Sequence, residues 1–183
     1  NAGSGTFTAG DDVGPLPSTY TYGIGATIAA GTPTRAHSTF GGWCTDSALS
    51  SCAATQTIST TATGNKTFYA KWTCEEGYTA NSGNTACVAN TISLTWANGG
   101  HGTAPTTPAS CTYGGTFTTP AAMTATGYTF NKWSVNSKTF NASASVVCNK
   151  VNLGVASGSA TITGTWTANT YTVGYTLNGG TAG

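Results

Sequence analysis

Charged side chains are nearly absent: Asp, Glu, Lys and Arg make up 6% of the 183 residues, and the formal net charge is +1. This excludes a basic surface for nucleic acid and an acidic tail for a cationic partner. So little surface charge also leaves little repulsion between copies, a composition suited to assembly. Met occurs once and the helix formers Leu, Glu, Lys and Arg are sparse, so long helices are not expected. There is no long apolar run and no leader segment, which predicts no membrane span here. The chain opens at Asn1, and any targeting segment is expected to have been removed or to lie outside this sequence. Close C-x-x-C pairs are missing, and His37 and His101 lie far in sequence from the cysteines, which disfavours zinc.

Thr, Gly, Ser, Ala and Asn fill most of the chain, together with five Trp, eight Tyr and six Phe. β-branched and aromatic residues suit strands and Gly marks turns, so an all-β fold is expected. The six cysteines are read as three disulfides, which implies an oxidising, extracellular or cell-surface compartment. Six cysteines permit about fifteen pairings. Of these, Cys44 with Cys52 would close a short loop, Cys74 with Cys87 would staple a polar one, and Cys111 with Cys148 would join distant parts of the second half.

The chain repeats itself. STFGGW at residues 38–43 returns as YTFNKW at residues 128–133, each preceded by a Thr-Tyr-Gly step (Thr21-Tyr22-Gly23 and Thr112-Tyr113-Gly114). Each copy is followed by an alternating segment ending in Trp-Thr, FYAKWT at 68–73 and TITGTWT at 161–167. A further element, TISLTWANGG at 91–100, returns as TYTVGYTLNGG at 170–180 and reads as an opening strand followed by a turn. Its apolar face is Ile92, Leu94 and Trp96 in one copy, and Tyr171, Val173, Tyr175 and Leu177 in the other. The expected organisation is a first repeat at residues 1–73 lacking its opening strand, a disulfide-stapled linker loop at 74–89, a second repeat at 90–168, and the opening strand of a following repeat at 169–183. Phe40, Trp43, Trp72, Phe130, Trp133 and Trp166 recur at equivalent places and are the predicted repeat core.

The opening YTVGY strand, the Thr-Tyr-Gly step, the GYTF-x-x-W segment at 127–133 and the closing YAKWT strand, in this order, resemble the Listeria-Bacteroides repeat, also called the internalin B-type repeat. The resemblance spans nearly the whole chain apart from residues 74–87. It implies two small β-grasp-like tandem repeats of a bacterial cell-surface or secreted protein, acting as stalk, spacer or adhesive module, with no catalytic residues. Ser38 stands where the family usually has Tyr, Gly164-Thr165 where it usually has Ala-Lys, and the cysteines are additions.

Little in the sequence suggests chemistry. Asp11, Asp12, Asp46, Glu75 and Glu76 are the only acids. Asp11-Asp12 lacks the surrounding pattern of a calcium loop and reads as a solvated turn, as does Glu75-Glu76. Neither His belongs to a nucleophile motif, so no enzyme activity, metal or cofactor is expected. The recurrent Trp positions favour core over a sugar-binding pocket, with Tyr78 the expected exposed exception. Lys71 is expected at the surface, not in an intramolecular crosslink with Asn. Asn65 and Asn141 head sequons that read as chance matches. The expected partners are adjacent repeats or further copies of the chain, head to tail, and a host or matrix surface. A carbohydrate- or protein-binding module at the cell surface is the alternative.

Overall fold

The structure, a computed structural model, describes residues 6–8, 16–28 and 32–181. The chain divides into two compact units, residues 1–90 and 91–183. Unit 1 contains β1 (Thr6–Thr8), β2 (Ala26–Ile28), β3 (Thr32–Thr34), β4 (Ser38–Cys44), β5 (Cys52–Ala53), β6 (Gln56–Ile58), β7 (Tyr69–Cys74), β8 (Tyr78–Ala80) and β9 (Cys87–Ala89). Unit 2 contains β10 (Thr91–Ala97), β11 (Ser110–Thr112), β12 (Thr116–Thr118), β13 (Tyr128–Val135), β14 (Lys138–Phe140), β15 (Ser145–Val147), the single-turn α1 (Lys150–Leu153) and β16 (Gly158–Ala168). The fold is all-β, as the Thr- and aromatic-rich composition predicts.

Unit 2 is built on a five-stranded sheet in the order β11-β10-β16-β13-β14, with β12 and β15 forming a separate two-stranded sheet. β10 is an alternating strand whose Ile92, Leu94 and Trp96 are all buried, and it runs parallel to the first half of β16. The second half of β16 runs antiparallel to β13. β16 therefore reaches 11 residues because a different partner satisfies its backbone along each half. Ile92, Leu94 and Trp96 join Phe117, Trp133, Val135, Val146, Leu153 and Ile162 in one core. The Asn-Gly-Gly turn after β10 requires glycine: Gly99 has φ +67°, and a Cβ there would lie 1.9 Å from the Gly164 carbonyl oxygen.

In unit 1 the sheets are β5-β4-β7, β2-β6, β1-β3 and β8-β9. β4 pairs with β7 in the register that β13 uses with β16. Phe40 faces Trp72 and Trp43 faces Ala70 across a register shift between Phe40 and Gly42, just as Phe130 faces Trp166 and Trp133 faces Gly164 across a shift between Phe130 and Lys132. The turn ahead of these strands is matched too, with Gly23 N–H donating to Thr60 O at 2.7 Å and Gly114 N–H to Cys148 O at 2.8 Å. The duplication seen in the sequence thus extends to individual backbone pairs.

The difference between the units lies at the opening strand. β7 covers only Tyr69–Cys74, matching the half of β16 that pairs with β13. Its upstream neighbours, residues 64–68, correspond to the half of β16 that pairs with β10, and they form no strand. Among the described residues no strand runs beside residues 64–67 to hold them in a sheet. The buried hydrophobic core of unit 1 is correspondingly small among the described residues, with Ile28, Trp43 and Cys44 its main members.

Candidate functional site

The predicted inter-repeat strand carries four of the ten large hydrophobic residues that are exposed among the described residues. Tyr171, Val173, Tyr175 and Leu177 are 76%, 75%, 86% and 53% exposed, and residues 169–181 join no sheet. The sequence pattern predicts a strand buried against a repeat body, but here the segment has no ladder partner. Backbone hydrogen bonds lie towards its two ends. The Asn169 N–H donates to Gly127 O at 2.8 Å, and the Gly180 N–H donates to Leu177 O at 2.7 Å, closing the turn.

A matching feature lies in unit 1. A cleft of about 380 Å³ is lined by residues 17–20 on one side, by Asn65, Lys66 and Phe68 on the other, and by Ile28 and Ile58. Aligned on the shared Thr-Tyr-Gly steps and closing strands, the two sides correspond to β11 and to the first half of β16, which flank β10 in unit 2. Ala26, the ladder partner of Ile58, stands where Phe117 pairs with Val146, which leaves space under the cleft. The Tyr20 hydroxyl donates to the Gly64 carbonyl, which spans the two sides.

The closing-strand indoles differ between the units. In unit 2, Trp96 Nε1 donates to Pro108 O at 2.7 Å, Trp133 Nε1 to Pro120 O at 3.0 Å and Trp166 Nε1 to Asn98 O at 2.6 Å. Asn98 belongs to the turn that ends the opening strand. Trp72, the counterpart of Trp166, has a buried Nε1 with no acceptor. An unmet buried donor costs about 1 to 3 kcal/mol, and Trp72 lies on β7, which follows directly on the cleft residue Phe68.

The predicted core residues take two depths. Trp43 and Trp133 are buried, whereas Phe40, Trp72, Phe130 and Trp166 are half-buried. Phe40 sits edge-on between Trp43 and Trp72, at 5.4 and 5.5 Å, and Phe130 sits between Trp133 and Trp166, at 5.1 and 5.4 Å. The cysteines pair as Cys44–Cys52, Cys74–Cys87 and Cys111–Cys148. Cys111 and Cys148 are both buried and staple unit 2 where unit 1 has Tyr20 and Thr60. The stapled segment at 74–87 carries a hairpin of unit 1, β8 with β9.

The remaining candidates have structural partners. The His37 ring stacks on Tyr78 at 3.9 Å and its Nδ1 lies 3.7 Å from Glu75, so one face of the Tyr78 ring is covered. His101 stacks on Tyr128 at 3.6 Å. Asp46 accepts the Ser50 and Ser51 backbone N–H groups at 3.1 and 2.8 Å, and these bonds hold its carboxyl below the usual range. Lys71 Nζ donates to Leu49 O at 3.3 Å. Asn65 and Asn141 are exposed. Asp11 and Asp12 lie outside the described residues. Among the described residues no three His, Cys, Asp or Glu side chains gather as a metal-holding group, and no helix is long and apolar enough to cross a membrane. One residue not anticipated from sequence is Arg35, the only arginine. Its guanidinium lies 5.2 Å from the Trp72 ring centroid and donates to Asn84 O at 3.0 Å, linking the stapled hairpin to the repeat body.

Compared with known proteins, the chain matches the Listeria-Bacteroides repeat domain twice, over residues 6–71 and 91–153. No curated protein and no solved structure matches it.

Proposed function

The chain belongs to the Listeria-Bacteroides repeat family, and on that premise we propose that it is a non-enzymatic stretch of a stalk, fibre or adhesive array on a bacterial surface. In this reading the repeats join head to tail, and each body is completed by an opening strand of the kind found at 170–180. The observation that carries it is the exposed apolar face of Tyr171, Val173, Tyr175 and Leu177. Each such side chain gains about 1.5 to 3 kcal/mol on burial, and β10 shows how a strand of this pattern is buried in unit 2. Three buried or half-buried disulfides suit an oxidising, extracellular setting. The low charge density suits close association.

Two forms of the array share the same contacts: one covalent chain of many repeats, or separate subunits that donate strands to one another. Protease shaving of intact cells, followed by denaturing gel and intact mass with and without reductant, tests the proposal. Surface release of a polypeptide far above 18.3 kDa supports the covalent array. Surface release of an 18.3 kDa species whose assemblies dissolve on deletion of residues 169–183 supports the filament. A protected polypeptide that remains inside the cell would overturn both.

A further inference from the structure

We infer that the unit 1 cleft is a strand-acceptor site, and that its occupant is the 170–178 segment of a second copy of this chain. The inference rests on the head-to-tail reading above and names its acceptor.

The duplication within the molecule supplies the template for this site. In unit 2 the opening strand lies between β11 and β16, antiparallel to the first and parallel to the second, with Ile92 opposite Cys111 and Gly158, and Trp96 opposite Ile162. Carried over through the matched closing strands, Gly158 becomes Gly64 and Ile162 becomes Phe68, while Cys111 becomes Tyr20. Those residues lie at the two sides of the cleft or bond across it. Residues 17–20 on one side and 64–67 on the other carry backbone that no strand pairs among the described residues. The segment at 170–178 repeats the pattern of β10, with Tyr171 for Ile92, Val173 for Leu94 and Tyr175 for Trp96, and its own apolar face is uncovered. Donor and acceptor therefore carry complementary deficits: a strand without a sheet, and two backbone stretches with no strand between them among the described residues.

The Trp72 indole fixes the far end. Its counterpart, Trp166, donates to the turn that ends the opening strand, and Trp72 is a buried donor without an acceptor. The incoming strand ends in the same Asn-Gly-Gly turn, one residue later than in β10 because Leu177 is added. In register, Tyr175 enters the cleft over Ile28 and Ile58, and the end of the strand covers Trp72. Tyr20 must release Gly64 as the strand enters, since the two then pair with the strand instead of each other. Trp96 is similarly enclosed in unit 2, 4.9 Å from Trp133 and 6.4 Å from Phe117.

The test is a fluorescently labelled peptide of residues 170–178 titrated into dilute full-length chain, with the indole N–H signal of Trp72 followed by NMR and assigned through Trp72→Phe. Saturable binding is expected, with slowed exchange of the Trp72 indole proton. A peptide carrying Tyr175→Asp should bind about 10- to 100-fold more weakly, since a buried aromatic is replaced by a charge. The peptide variant leaves the acceptor unchanged, so folding does not confound it. A Lys66→Pro chain with intact disulfides, altering an exposed edge position, should also bind less. Absent binding, or binding indifferent to both changes, overturns the acceptor site. If that occurs while shaving still releases a long surface polypeptide, the stalk reading stands and only this acceptor falls.

Discussion

At the scale of single residues, the two closing tryptophans form an internal control. Trp72 and Trp166 occupy matching places, each against a Phe, but only Trp166 has an acceptor for its N–H. Replacing either by Phe removes similar volume, so the loss at Trp166 should exceed that at Trp72 by about 1 kcal/mol, the net worth of one hydrogen bond. Denaturant unfolding of both variants measures this. The buried Cys111–Cys148 pair spans 37 residues, and replacing both by Ser should cost about 3 to 4 kcal/mol in unit 2, visible as a lowered transition midpoint. The aromatic ladder was legible from sequence because the same residue types recur at the same period-two positions. Its depth was not: burial of a Trp on one strand depends on whether a strand lies on each side of it, and pattern on a single strand does not report its neighbours. Arg35, stacked on Trp72 and bonded 49 residues away to Asn84, was illegible for the same reason, although its being the only arginine marked it out.

Elements show where local pattern determines structure and where it does not. β10 and the 170–178 segment carry the same alternation, yet one is a central strand and the other is unpaired. Strand character was readable in both, whereas pairing requires a second backbone that the segment's own residues do not supply. Residues 64–67, which join no strand among the described residues, follow the same rule, since their counterparts in β16 form a strand alongside β10. The short loop between Cys44 and Cys52 is held by its disulfide and by Asp46, whose carboxylate accepts from Ser50 and Ser51 and titrates below its usual range for that reason. A folded-state value lower than the unfolded one means that this support is complete above the ordinary carboxylate pKa of about 3.9. It is lost as the pH falls through the depressed value. Protection of the Ser50 and Ser51 amides should therefore fall in that acid window and become pH-independent in Asp46→Asn, as followed by hydrogen exchange.

For the molecule as a whole, the direction of β10 has a mechanical consequence. β10 and β16 are neighbours running the same way, paired from Ile92 with Gly158 to Ala97 with Thr163, and the chain leaves β16 at Ala168, beyond the far end of that ladder. Tension between residues 91 and 168 pulls the two strands in opposite senses along their length. Every bond of the ladder is then loaded at once, in shear. Tension between residues 91 and 158, at the same end of the pair, would instead peel the strands apart one bond at a time. Single-molecule pulling through these two attachments should give a clearly higher rupture force for the first, and equal forces would show that the ladder is not the mechanical clamp. A tether made of such units would carry load in the direction in which its sheet is hardest to open.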